Sequence, residues 1–205
     1  ISCSLVGSEM CIRDSIYVEH LEGFLVANYV VVARFNDEKT EKLISLRKSL
    51  YAKGFMKEIS EWEPHITIAA YENVEINKLL EWTDEFIKRY STFEVLFSSV
   101  GIFPPQGEDA KTAILFTSPS PSKALIDFYY AFHEKLDDYC GNIGRWYSAK
   151  FVHPVIHSTI GVFEINQIQK AMEVIFEHQI FELTRIVALE VYTYPMKLIQ
   201  RFELK

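Results

Sequence analysis

Two short stretches of the chain carry side chains that could perform acid–base chemistry on a phosphate. His65 stands two positions before Thr67 in residues 65–68 (HITI), and His157 stands two positions before Thr159 in residues 157–160 (HSTI). Side chains alternate between the faces of a β-strand, so each His shares a face with its Thr. An imidazole titrates at about pH 6.5 and can act as acid or base, whereas a hydroxyl can donate to a phosphate oxygen. The pattern predicts that one His takes a proton from an attacking water or hydroxyl and the other protonates the leaving oxygen, while the two Thr hydroxyls hold the phosphate.

Hydrophobic periodicity and turn residues predict the elements that position these stretches. We expect strands at 23–35, 64–71, 93–103, 111–117, 155–163, 180–194 and 197–204. We expect helices at 38–53, 75–90, 122–139 and 167–178. Both His-x-Thr stretches therefore fall on strands. Ser158 would then point to the core, where its hydroxyl needs a hydrogen bond or a place near the sheet edge.

The predicted elements repeat within the chain. Each His-x-Thr strand is followed by a helix and then by a strand that opens with Phe-Glu, at 93–94 and at 181–182. Internal repetition of this kind indicates a duplicated unit. We therefore predict an α+β fold of two lobes, with antiparallel sheets around a central cleft. A pseudo-twofold axis would place both His-x-Thr strands in that cleft.

The paired stretches, 64–68 (PHITI) and 157–160 (HSTI), resemble the two signatures of the 2H phosphoesterase superfamily. The resemblance covers about 24–204 and is greatest to the 2′-5′ RNA ligase-like branch, which includes RNA 2′,3′-cyclic phosphodiesterases. It implies that His65 and His157 are the catalytic acid and base, and that Thr67 and Thr159 bind the phosphate. It also implies a substrate that is an RNA end or a small nucleotide with a 2′,3′-cyclic phosphate or a 2′-5′ linkage. The second signature departs from the family pattern, because Ile156 stands where Pro64 stands in the first.

Other residues are candidates for substrate binding. Phe103 ends a strand where the cleft should open, and its ring or that of Tyr147 could stack on a base. Arg145 and Lys150 are the nearest cations to the second signature and could contact a phosphate. His153 would share a face with His157 if the chain between them is extended. We expect the remaining three His, at 20, 133 and 178, to be structural or exposed.

Composition narrows the class of protein. The chain has 205 residues, a net charge of −7 and 49% hydrophobic residues, which fits a folded domain and argues against binding to long duplexes. No apolar run is long enough for a membrane helix, and three Cys do not make a disulfide framework. No phosphate-binding glycine loop and no spacing typical of metal ligands occurs, so we expect no cofactor and no metal.

The domain organisation follows from the same reading. Residues 1–15 show no periodicity and are expected to be a non-native or disordered tail, which leaves 16–205 as one domain of two interleaved lobes. We expect a cytoplasmic monomer that does not bind membranes.

Two alternatives stay open at this point. The chain could be a nucleotide-binding or RNA-end-binding module without catalysis. It could also be a phosphoesterase for another cyclic phosphate, such as ADP-ribose cyclic phosphate.

Overall fold

The computed structural model describes residues 28–105, 111–194 and 197–205. The expected tail at 1–15 and the start of the first predicted strand lie outside the described residues. The strands are β1 (Tyr29–Phe35), β2 (His65–Tyr71), β3 (Phe93–Phe103), β4 (Thr112–Pro119), β5 (Ser158–Glu164), β6 (Leu183–Thr193) and β7 (Lys197–Glu203). The α-helices are α1 (Asp37–Ala52), α2 (Ile76–Ile87), α3 (Lys123–Phe132), α4 (Gly141–Gly144) and α5 (Ile168–Glu177).

The seven strands form one antiparallel sheet whose order reflects an internal duplication. The order is β2-β1-β6-β3-β4-β5, and β7 adds to β6. This order is symmetric about the β6–β3 pair, since exchanging β2 with β5, β1 with β4 and β6 with β3 leaves it unchanged. The helices obey the same symmetry, because α1 follows β1 as α3 follows β4, and α2 follows β2 as α5 follows β5. The predicted duplicated α+β fold is confirmed. β6 of the second half pairs with β1 of the first, and β3 of the first half pairs with β4 of the second.

The two ends of the sheet order meet in space. β2 and β5 stand at opposite ends of the hydrogen-bonded order, yet the two strands are in contact. The sheet therefore curves until its terminal strands face each other. Since β2 begins at His65 and β5 begins directly after His157, this curvature brings the two signatures together.

The sheet buries different residues on its two faces. One face packs on the helices and forms the main core, to which α1 contributes Leu43, Leu46 and Leu50. The other face carries a small separate cluster that includes Val32, Trp62 and Tyr147. Val32 pairs in register with Thr67, so the small cluster lies on the face of β2 that carries His65 and Thr67.

The predicted helix at 122–139 is wrong in its second half. α3 ends at Phe132, where the N–H of His133 turns back to Tyr130 O and Ala131 O. Beyond Phe132 the chain continues in tighter turns, in which the N–H of Tyr139 bonds to Leu136 O and Asp137–Tyr139 form a 3₁₀ helix. The His133 ring at the end of α3 contacts Asp137 with one nitrogen and Ile68 O of β2 with the other.

The short helix α4 was not predicted from the sequence. Glu72, directly after β2, accepts hydrogen bonds from the N–H groups of Asn142 and Ile143. Gly141 has a φ of +55°, and a Cβ at that position would lie 2.1 Å from the Glu72 carboxyl carbon. Only glycine therefore fits the close approach of this carboxylate to the start of the helix.

The helices give no sign of a membrane-crossing segment. None of those in the described part of the chain combines the length and the apolar character that crossing a bilayer requires.

Candidate active site

The first signature lies in an almost closed environment. Pro64 precedes β2, and His65 and Thr67 are each 7% exposed. The His65 ring packs on the Trp62 indole, with 4.7 Å between ring centroids. Its Nδ1 lies 2.7 Å from Glu63 O. Because a carbonyl oxygen only accepts, Nδ1 is the donor, and a neutral ring keeps its lone pair on Nε2.

The second signature repeats this arrangement. Nδ1 of His157 lies 2.6 Å from Val155 O, which is again the carbonyl two residues earlier. Nε2 is therefore also the nitrogen of His157 that can accept a proton when the ring is neutral. The duplication thus extends to the hydrogen bond that sets the tautomer of each ring. The absence of a Pro before His157 does not change this contact.

Two phenylalanines support the second imidazole. The His157 ring lies 5.0 Å from the Phe103 ring and 5.1 Å from the Phe116 ring, measured between centroids. Phe103 and Phe116 contact each other at 4.3 Å. Phe116 pairs in register with Thr159 and with Gly101, where a side chain would collide with the Phe116 ring. The Phe116 ring therefore lies across the glycine and under the imidazole.

A buried arginine of α1 joins the two signatures. Arg47 donates from Nη1 to Trp62 O and from Nη2 to Thr159 O, both at 2.6 Å. The first carbonyl precedes His65 by three residues, and the second lies within the HSTI stretch. One guanidinium group therefore holds the approach to β2 and the start of β5.

A second arginine lies beside His65. Arg34 of β1 pairs in register with His65 and is 3% exposed. It forms an ion pair with Glu63, and its Nε lies 3.5 Å from Oε2 of Glu190. Glu190 also accepts from Tyr192 Oη at 2.6 Å.

Both imidazoles are held in the neutral form at pH 7. Burial lowers the pKa of His65 well below its usual value, and the nearby charges of Arg47 and Arg34 lower it further. Burial lowers the pKa of His157 to about 4, against the opposing effect of the Val155 carbonyl. His157 also contributes to the lowered pKa of His65, which places the two rings within electrostatic reach of each other. Once one imidazole carries a proton, its positive charge makes protonation of the other less favourable.

The residues that the sequence predicted to bind substrate lie in different surroundings. Phe103 lies against His157, as described above. Tyr147 is buried in the small cluster that contains Trp62. The Arg145 guanidinium lies over the exposed Phe151 ring, and Lys150 pairs with Asp138 at 2.9 Å. His153 is exposed in the segment before β5. The substrate contacts of these five residues stay predictions.

Sequence reasoning missed Arg47, Arg34 and Phe116. A signal existed for Arg47, because it stands four positions after Leu43 and three before Leu50 on the apolar face of α1. A charge at such a position indicates a buried partner. Arg34 likewise interrupts a run of Val and Ala in β1. Phe116 gave no signal, since an aromatic residue in a buried strand is ordinary.

Among the residues that the structure describes, one group of side chains away from the two signatures could bind a metal ion. His133, Asp137 and Cys140 are buried and offer ligand atoms within 4.8 Å of one another. Nδ1 of His133 lies 2.6 Å from Asp137 Oδ1, and its Nε2 lies 2.9 Å from Ile68 O. The Cys140 thiol and the Ser148 hydroxyl donate to the same carboxylate. Each potential ligand therefore takes part in a hydrogen-bonded network that ties the chain after α3 to β2.

The sequence and the fold were compared with known proteins. Residues 52–195 match the family described as the 2′-5′ RNA ligase superfamily. The fold is similar to that of TT0787 from Thermus thermophilus, with a TM-score of 0.55 and 12% identity over 86% of this chain and 97% of that one. This likeness concerns the fold alone. No curated protein sequence matches the chain.

Usb1 from Kluyveromyces marxianus gives a weaker likeness, from which we draw no argument. Its TM-score is 0.48, with 10% identity over 86% of this chain and 97% of that one. A structure of the same protein with uridine monophosphate also has a TM-score of 0.48, with 11% identity over 86% of this chain and 99% of that one.

Proposed function

Because the chain belongs to the 2′-5′ RNA ligase superfamily, we propose that it is a phosphodiesterase that opens 2′,3′-cyclic phosphates, or cleaves 2′-5′ linkages, on RNA ends or small nucleotides without a metal ion. One observation carries the proposal. Two imidazoles with the same Nδ1-to-carbonyl bond lie where the ends of the sheet meet, His65 as the first residue of β2 and His157 directly before β5. Each offers Nε2 for proton transfer, and each has a Thr on its own face of the strand.

The reaction needs one proton taken and one proton given. Nε2 of one His accepts a proton from water as the water oxygen bonds to phosphorus. Nε2 of the other His, which must carry a proton, gives it to the ribose oxygen as the bond from phosphorus to that oxygen breaks. The Thr67 and Thr159 hydroxyls donate to the non-bridging oxygens, where charge develops. Water and the cyclic phosphate are consumed, and a phosphate monoester results.

The lowered pKa values fit this sequence of steps. A neutral His65 or His157 is ready to act as base at pH 7. The acid has to gain a proton first, and a bound phosphate, being an anion, favours the protonated form of an imidazole beside it. Substrate binding would thus prepare the acid while leaving the base neutral.

The test replaces each His by Gln and follows the opening of 2′,3′-cyclic nucleotides in the presence of EDTA. We expect kcat to fall about 10²- to 10⁴-fold in His65→Gln and in His157→Gln. His178→Gln is the matched control, because that His is bonded through Nδ1 to a carbonyl at the end of α5 and should leave kcat unchanged. Undiminished turnover in both variants would show that the two imidazoles are not the acid and base. Binding of a nucleotide 2′-phosphate without turnover of any cyclic substrate would instead favour a binding module.

A further inference from the structure

Arg47 is an unusual residue for its position in the fold. It lies on the apolar face of α1 among Leu43, Leu46 and Leu50, and it is 5% exposed. A buried guanidinium loses much of its hydration, and hydrogen bonds to specific partners have to offset this free-energy cost. It donates to two main-chain carbonyls that belong to different halves of the duplicated fold.

These carbonyls lie in segments that the sheet itself does not join. β2 pairs with β1, and β5 pairs with β4, whereas β2 and β5 are in contact without being neighbours in the hydrogen-bonded order. The contact between Arg47 and both segments therefore supplies a polar link across the meeting point of the two sheet ends. The planar guanidinium fixes both distance and direction, because its two Nη groups donate in one plane.

The link is close to both imidazoles. Trp62, whose carbonyl accepts from Nη1, also packs its indole on the His65 ring. Thr159, whose carbonyl accepts from Nη2, stands two residues after His157. A shift of either carbonyl would move one imidazole relative to the other.

We propose that Arg47 is a positioning residue, which sets the separation and orientation of His65 and His157 by holding Trp62 O and Thr159 O on one guanidinium. The inference rests on the proposed function, because it concerns the acid and base of that reaction. Arg47 does not take part in the proton transfers. It acts through the two backbone segments and through its positive charge beside His65.

Charge and geometry can be separated by two substitutions. Arg47→Lys keeps the charge but offers a single ammonium, which cannot donate to both carbonyls in the same plane. Arg47→Gln removes the charge and can donate to one carbonyl through its amide. The charged and titratable groups that face His65 besides Arg47 are Arg34, with its partner Glu63, and His157, and neither substitution replaces them.

We expect kcat on a 2′,3′-cyclic nucleotide to fall about 100-fold in both variants with KM little changed, since a misplacement of about 1 Å between catalytic groups has an effect of this size. The pH dependence should distinguish the variants. In Arg47→Gln the pKa of His65 should rise, because the charge of Arg47 lowers it. The limb of the kcat/KM profile that reports His65 should then move to higher pH, whether this is the acidic limb of a base or the basic limb of an acid, whereas in Arg47→Lys it should stay in place. The His65 ring signals in NMR titrations report the same pKa without any need for turnover.

Lys39→Met is the matched control. Lys39 is a second buried cation of α1 that donates to a carbonyl, Ile180 O, but it packs on Phe97, away from the two signatures. Its loss should lower stability while leaving kcat and the pH profile at the wild-type values.

The outcomes separate the two proposals. If the wild type opens no cyclic phosphate, the proposed function fails, and the NMR titration alone then decides whether Arg47 sets the pKa of His65. If the wild type is active and Arg47→Gln keeps the wild-type kcat and the wild-type titration of His65, the inference about Arg47 is wrong. A loss of kcat in Arg47→Gln that equals the loss in Lys39→Met, with no change of pH profile, would also overturn it by showing a merely structural role.

Discussion

Replacing Gly101 by Ala should damage catalysis through the Phe116 ring, which lies against the His157 imidazole. A Cβ at Gly101 would lie 2.1, 2.4 and 2.9 Å from three atoms of the Phe116 ring, whereas ordinary contact begins at 3.4 Å. The ring would have to move by about 1.3 Å, which is 3.4 minus 2.1. It cannot move freely, because it is wedged between the Phe103 ring and the His157 imidazole.

The expected size of the effect follows from this displacement. Adding a methyl group to a well-packed site lowers the free energy of unfolding by about 1–3 kcal/mol. A shift of about 1 Å passed on to His157 would lower kcat about 100-fold, because proton transfer depends steeply on alignment. A 100-fold loss of kcat corresponds to about 2.7 kcal/mol, which is comparable to the loss of stability, so kcat should fall even where the variant is still fully folded.

The assay compares kcat for cyclic-nucleotide opening with the urea midpoint of unfolding. Gly161→Ala on β5 is the matched control, since its nearest neighbour is the end of the flexible Met56 side chain at 2.5 Å. Gly161→Ala should change both kcat and the urea midpoint only slightly. The double variant Gly101→Ala with Phe116→Leu makes room for the methyl group and should recover activity relative to Gly101→Ala alone. Wild-type kcat in Gly101→Ala, or a double variant less active than both single variants, would refute the proposed support of His157 by Phe116.

Three further predictions concern individual side chains. The pKa of His157 is about 4 in the folded protein and 6.5 ordinarily, so between these values the unfolded chain binds a proton that the folded chain does not. The free energy of unfolding should therefore decline as pH falls from 6.5 towards 4. Thermal unfolding followed by circular dichroism should show a smaller decline in His157→Gln. An unchanged dependence on pH in this variant would contradict the lowered pKa of His157. Thr159→Val keeps the side-chain shape but removes the hydroxyl, and should lower kcat about 100-fold with normal thermal unfolding, whereas unchanged kcat would exclude a contact with the developing charge. Burial raises the pKa of the Cys140 thiol to about 12, so the thiol should react with iodoacetamide at pH 8 only in the unfolded protein. Peptide-resolved mass spectrometry measures this labelling. Rapid labelling of Cys140 in the folded protein would disprove its burial.

The sequence predicted most of the framework because its signals are local. The period of β3 gave both of its ends, at Phe93 and Phe103, and the other strands differ from expectation mainly at their termini. The repetition of His-x-Thr before helix and strand predicted the duplication, which the symmetric strand order confirms. The pairing of the two signatures followed from that symmetry rather than from any property of His65 or His157 alone.

What could not be predicted depends on contacts between distant parts of the chain. The helix predicted at 122–139 stops early, and His133 at its end contacts Ile68 O, which lies 65 residues earlier. The link made by Arg47 to Thr159 O spans 112 residues. Periodicity detects which face of a helix is apolar, but it does not identify the carbonyl that a buried cation will meet. The hydrogen bonds that set both imidazole tautomers are also invisible to it, because they use main-chain oxygens.

The place of β6 in the sheet has a consequence for how the protein is made. β6 (Leu183–Thr193) lies between β1 and β3, although its residues follow those of five other strands in the chain. During synthesis, β2-β1 and β3-β4-β5 can pair as separate sheets, but no strand pairing joins them until the ribosome has released β6. The sheet is therefore completed only near the end of translation, and a nascent chain that stalls before residue 183 would leave the edges of β1 and β3 without their shared partner strand.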